Sequence, residues 1–296
     1  MAITRVTQSM MSRQSVGAMQ ASLSRLAKLQ EQLSTGRVLN RPSDSPADTT
    51  SAMRIRSSLA DVKQYARNAA DGDAWLGQID SALTAATDQV RRARDLALQG
   101  ANQGAMGPAA REALATEVDQ IREGVITTAN TSYLGRPVFG GVTAGSVAYD
   151  ASGTYVGVPG AVNRTVSDGV QVQVSVDGAS AFGASASTVF DHLTALATAL
   201  RAGDQAGITA GIGSLAGDVD RLTTTQAEVG TRQKRVEAAQ QAAGDNELKL
   251  TGSLSDIENA DLPRTLVDLQ MQQVAYQSAL GATARVMQPS LLDFLR

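Results

Sequence analysis

"LSTGRVLNRPSDSPADTT", residues 33–50, interrupts two stretches of helical pattern. Gly36 suits a helix C-cap, since glycine enters the left-handed conformation without a Cβ penalty. Pro42 and Pro46 cannot continue a helix, and each pushes the preceding residue toward extended backbone. Asp44 or Ser45 can then cap a second helix. The stretch reads as a spoke between a terminal helix and a longer one.

On the N-terminal side, Val16, Met19, Leu23, Leu26 and Leu33 alternate by three and four, with Gln30 in the one polar slot. Such a narrow a/d row wants a partner helix. The far end of the chain answers it: Leu262, Leu266, Leu269, Tyr276, Leu280 and Met287 keep the same spacing, with Gln273 and Thr283 as polar slots. The first forty residues lean basic through Arg5, Arg13, Arg25, Lys28 and Arg37. The last segment leans acidic through Asp256, Glu258, Asp261, Asp268 and Asp293. Opposite bias suits pairing of the two ends, although surface charges contribute little individually. These two rows are the expected assembly interface, and a short helix with one narrow seam is marginal without a neighbour.

On the C-terminal side of the break, Val62, Ala69, Leu76, Leu83, Val90 and Ala97 recur every seven residues, flanked by Ile79, Ala86 and Ala93. That period implies long supercoiled helices. "GANQGAMGP" (100–108) is a turn, and Pro108 opens a helix expected to reach about Asn130. A second long helix is expected over roughly 208–250, with Leu222, Val229, Val236, Ala243 and Leu250 in one row. Gln226, Gln233, Gln240 and Glu247 form the companion row, which predicts loose packing or a seam facing another molecule. Between these helices "RTVSDGVQVQVSVDG" alternates Val170, Val172, Val174 and Val176 after an Asp-Gly turn, the pattern of a hairpin with one buried face. The expected fold is mainly α: an elongated rod of long antiparallel coiled-coil helices, with a small inserted β domain and terminal helices that pair on assembly. The expected divisions are 1–46 (terminal helix and spoke), 47–135 (first half of the rod), 136–183 (β domain), 184–254 (second half of the rod) and 255–296 (terminal helix).

Composition narrows the chemistry. Aromatic residues make up only 3% of the 296, there is no cysteine, and the net charge is −3. Disulfides, thiolate catalysis and cysteine-bound metals are excluded, and nothing points to nucleic acid or an anionic membrane as partner. No apolar signal region opens the chain, and no stretch is long and apolar enough to span a bilayer. His192, the single histidine, reads as a surface or packing residue. Asp71 and Asp73 around Gly72 form only a fragment of a calcium loop. Asn130 and Asn163 begin glycosylation sequons read as chance matches. Metalloprotease, hydrolase and P-loop motifs are absent, so the expectation is a non-enzyme without cofactor, metal or catalytic residue.

The opening stretch resembles the N-terminal signature of the flagellin superfamily, specifically of its hook–filament junction subunits. The matching residues are Leu33 to Gly36, Arg37, Asn40, Pro42, Ser43, Asp44 and Pro46. The start, with Arg5, Thr7, Gln8, Met10 and Met11, is similar too. So are "YLGRPVFGG" (133–141) and "VDGASAFG" (176–183) at the borders of the β domain, and "QMQQVAYQSALGATARVMQPSLLDFLR" at the end. Filament subunits more often carry a Lys-Asp-Asp-Ala-Ala-Gly type segment where this chain has "RPSDSPAD". The resemblance implies a secreted structural subunit, exported unfolded by the flagellar type III route. Its implied partners are copies of itself in a ring, a hook-side junction protein, filament flagellin and an export chaperone. Filament flagellin is the alternative within the superfamily. A secreted coiled-coil adhesin or effector is the alternative outside it.

Overall fold

In the computed structural model, which describes residues 8–102, 107–185 and 187–286, helices predominate. In chain order they are α1 (Gln8–Thr35), α2 (Pro46–Ala101), α3 (Pro108–Ala129), α4 (Gly178–Phe182), α5 (Val189–Ala202), α6 (Gln205–Glu258) and α7 (Leu262–Val286). Two short antiparallel pairs lie between α3 and α4. They are β1 (Ser132–Tyr133) with β2 (Arg136–Pro137), and β3 (Asn163–Ser167) with β4 (Val170–Gln173). The fold is mainly α with a small β insert. Two compact units divide the chain: Asp61–Glu247, and Met1–Ala60 together with Leu248–Arg296. The first is called here the body and the second the terminal unit.

Helix ends in the body follow local chemistry. Thr188 and Asp191 form a capping box at the start of α5, and Gly203 closes that helix in the left-handed conformation. The seven-residue row of α2 is enclosed over Ala69, Leu76, Leu83, Val90 and Ala97. One core joins these residues to Val118 and Val125 of α3, Leu193, Leu196 and Leu200 of α5, and Ile208, Leu215, Leu222, Val229 and Val236 of α6. Small and aliphatic side chains suffice because helices that carry them can approach closely.

The polar row of α6 overturns one expectation. Gln226 Nε2 donates to Asp80 Oδ1 at 3.0 Å and to Thr84 Oγ1 at 2.9 Å, while Gln233 Nε2 donates to Asp73 Oδ1 at 3.2 Å. Lys63 and Glu247 continue the series as an ion pair at 3.5 Å. Three of the four positions thus bind α2 within the body, and only Gln240 is exposed. A row of amides reads as a weak seam only while its partners are unknown; here the opposing helix supplies matching acceptors.

The β insert contradicts another detail. β3 and β4 pair with a register shift between Thr165 and Ser167, next to the turn at Asp168 and Gly169, where Gly169 has a φ of 67°. That shift leaves Val170 exposed at the turn, whereas Val172, Val174 and Val176 are buried. The scarce aromatic residues collect beneath. Tyr149 meets Phe190, Tyr155 and Phe182 edge-on at ring separations of 5.0, 5.2 and 5.7 Å, and Phe139 meets Phe182 at 5.1 Å.

Candidate assembly surface

The spoke is an ordered loop in the terminal unit. Gly36, with a φ of 69°, ends α1 by donating its N–H to the Gln32 carbonyl at 2.8 Å. The chain then pairs with the end of α6: Val38 N–H donates to Glu258 O at 2.8 Å, and Ala260 N–H donates to Gly36 O at 2.9 Å. Both capping candidates have work, and only one caps. Ser45 Oγ accepts from Asp48 N–H at 3.4 Å and donates to Asp48 Oδ2 at 2.6 Å at the start of α2, with Pro46 as the first helical residue. Asp44 faces backward, its Oδ2 accepting from Arg41 N–H at 2.9 Å and Asn40 N–H at 3.2 Å, its Oδ1 paired with Lys28 at 3.2 Å. The Arg41 amide, with Lys28 and the Asn40 amide adding to it, holds the Asp44 carboxyl below its ordinary range. Asn40 Nδ2 donates to Arg37 O at 3.1 Å, while Pro42 and Ser43 stay exposed at the tip.

Glu258 anchors this loop, which motif reading missed. Its carboxylate is buried, lies 2.7 Å from Arg56 and 3.9 Å from Arg37, and draws the spoke, α2 and the end of α6 together. An acid at the last turn of a long helix was the visible signal, but its cationic partners are about two hundred residues away in sequence.

α1 packs on α7, and the predicted rows divide between the pair and solvent. Met19, Leu26 and Leu33 are half-buried, as are Leu269 and Tyr276. Val16, Leu23, Leu262, Leu266 and Leu280 are exposed. Met287 lies outside the described residues. The half-buried positions of α1 include Ser15, Met19, Ser22, Leu26, Leu29 and Leu33, and those of α7 include Leu269, Gln272, Tyr276, Ala279 and Thr283. In each helix one of the two expected rows therefore stands one residue away from its predicted position. Each helix keeps one predicted row inside the pair and presents the other, Val16 with Leu23 and Leu266 with Leu280, to solvent. Val267, Met271 and Val274 of α7 are exposed as well, so the α7 stripe is wider than two positions in seven. Apolar residues adjacent in sequence, such as Leu266 and Val267, were the sign of that width.

The remaining sequence candidates have structural occupations. Asp71 pairs with Arg164 at 2.7 Å. The Asn130 amide accepts from the Ala148 and Tyr149 N–H groups and donates to Tyr149 O. His192 Nδ1 lies 2.7 Å from Asp218 Oδ2, and the same carboxylate is held by Arg221. Burial pushes the Asp218 carboxyl up, against the pull of both partners. Ser187 Oγ is 3.4 Å from His192 Nε2, outside the reach expected of an activated nucleophile. Among the described residues no group of acids and histidine could hold a metal ion, and no helix is long and apolar enough to cross a membrane.

The body is a closed helical core, and in the terminal unit the α1–α7 pair leaves apolar rows uncovered. A model of the bacterial flagellin N-terminal helical region matches residues 6–144, and one of the C-terminal helical region matches residues 212–295. The chain belongs to the flagellin family. It is similar to flagellar hook-associated protein 3 of Escherichia coli, with 24% identity over 94% of this chain and 95% of the relative. It is also similar to flagellin FlaB2 of Treponema pallidum, with 25% identity over 90% of this chain and 91% of the relative. Among solved structures, FlgL of Bacillus cereus matches with a TM-score of 0.60 and 25% identity, covering 68% of this chain and 99% of that one.

Proposed function

We propose that this chain is a structural, non-catalytic subunit of the bacterial flagellum that joins hook to filament. The observation that carries the reading is the end-to-end match to a hook-associated protein 3, covering 94% of this chain, together with the apolar rows that α1 and α7 leave uncovered. Neighbouring copies cover these rows in a ring, with a hook-side protein below and filament flagellin above. The subunit reaches the junction by export in an unfolded state, with a chaperone guarding its ends before export. The spoke residues Gly36, Arg37, Asn40, Pro42, Ser43, Asp44 and Pro46 set the turn between α1 and α2 within the terminal unit. The similarity to the Treponema flagellin favours a second reading, filament subunit. Deleting the gene decides between them. A junction subunit's loss leaves hooks in place while flagellin accumulates in the medium. Loss of a filament subunit removes the major protein of sheared flagella.

A further inference from the structure

The sulfur of this protein is unevenly placed. Seven of its eight methionines, Met1, Met10, Met11, Met19, Met53, Met271 and Met287, fall in the terminal unit, and there is no cysteine. The buried core of the body contains no methionine among its described residues. Met10, Met53 and Met271 are 61%, 63% and 59% exposed. Met53 stands in the wall of a cleft beside the spoke, with Arg37, Arg41 and Arg56. Met271 lines a groove between α1 and α7 with Arg25 and Lys28.

We propose that Met10, Met53 and Met271 are three separate modification sites for peroxides, at which oxidation before assembly blocks incorporation; this rests on the assembly role given above. The Sδ lone pair attacks one oxygen of hydrogen peroxide, an S–O bond forms and the O–O bond breaks. The proton on the sulfur-bound oxygen passes to the departing hydroxide, leaving sulfoxide and water. Sulfur gives up two electrons and the peroxide takes them. A thioether tolerates varied apolar neighbours, whereas the sulfoxide is strongly polar. Three such changes place polar groups on surfaces that neighbouring chains must desolvate. Because the body's described core holds no methionine, its fold stays intact.

The test uses the full chain and isolated hooks from a strain lacking it, with hydrogen peroxide as probe. Binding is read as the ratio of treated to untreated chain, whatever a variant's starting affinity. Treatment is expected to weaken binding of the natural sequence by about tenfold, about 1.4 kcal/mol, and methionine sulfoxide reductases A and B should restore it. Combining Met10→Leu, Met53→Leu and Met271→Leu should bring the ratio near one. An unchanged ratio for the natural sequence, or an equal fall in the triple variant, overturns the proposal. If untreated chain fails to bind hooks, the assembly role fails instead, and peptide mapping still decides the sites. Met10, Met53 and Met271 must oxidise several-fold faster than the half-buried Met19, with the unfolding midpoint of the body unmoved. Equal rates, or a lowered midpoint, overturn it.

Discussion

Asp44 shows how one side chain sets the geometry of the spoke. Its carboxylate accepts two backbone N–H groups and faces Lys28, and these partners favour the charged form. The folded-state value is therefore below the ordinary 3.8, so its contribution is present above that value and lost as pH falls through the lower, folded one. The Asn40 and Arg41 amides should lose hydrogen-exchange protection in that acid window. In Asp44→Asn they should be weakly protected at neutral pH as well. Two-dimensional NMR across an acid titration checks both. Asp218 is a different case, a wholly enclosed carboxylate shared by His192 and Arg221. Asp218→Ala strands Arg221 and should lower the stability of the body by about 3 kcal/mol, read by urea unfolding.

Within elements, the same kind of substitution separates two faces of one helix. Leu26 lies in the α1–α7 seam and Leu23 on the uncovered row. Leu26→Asp should cost helix content in the isolated chain, because a charge in the seam has no partner. Leu23→Asp should leave the circular dichroism of the isolated chain unchanged and still prevent incorporation into flagella. If both variants lose helix alike, the division of the rows is wrong. In the body, Gln226→Ala removes donors to Asp80 and Thr84. It should destabilise the body by about 1.5 kcal/mol, within the range for bonds to charged groups. Among the residues whose burial is described, none of α1 is fully enclosed and only Thr265 of α7 is. Backbone amides of α1 and α7 should thus exchange faster than those of the α2 core row, since few apolar contacts oppose local opening.

For the whole molecule, the question is whether identical copies can stack without limit. An open filament requires heterologous contacts that repeat from copy to copy. A junction subunit meets different proteins above and below, so its two ends need not match. Purified chain should remain short oligomers or monomer even with flagellar seeds and precipitating salt; growth to micrometre lengths under electron microscopy would assign it to the filament. The Gln226 and Gln233 amides of α6 have no bearing on this outcome, since they are engaged inside the body. A chain cut to residues 61–247 should unfold cooperatively, because the continuous apolar core lies within that range.

Sequence periodicity alone determined the long helices, because apolar residues every seven positions can be buried only on one side of a helix. The α2 row from Ala69 to Ala97 needed no further information. Gly36, Pro42 and Pro46 likewise declared the break between α1 and α2, since backbone sterics act locally. The tertiary structure alone decided which side of α1 and α7 is covered. Two adjacent rows, 16/23 and 19/26/33, are chemically alike, and a partial rotation of the helix uncovers one or the other at no local cost. Only the neighbour's shape selects between them. Partners distant in the chain were equally hidden: Glu258 with Arg56, Gln226 with Asp80, and Asp218 with His192. A polar side chain in sequence is an unfilled valence, and whether it faces water, another copy or its own chain depends on what folding brings opposite it.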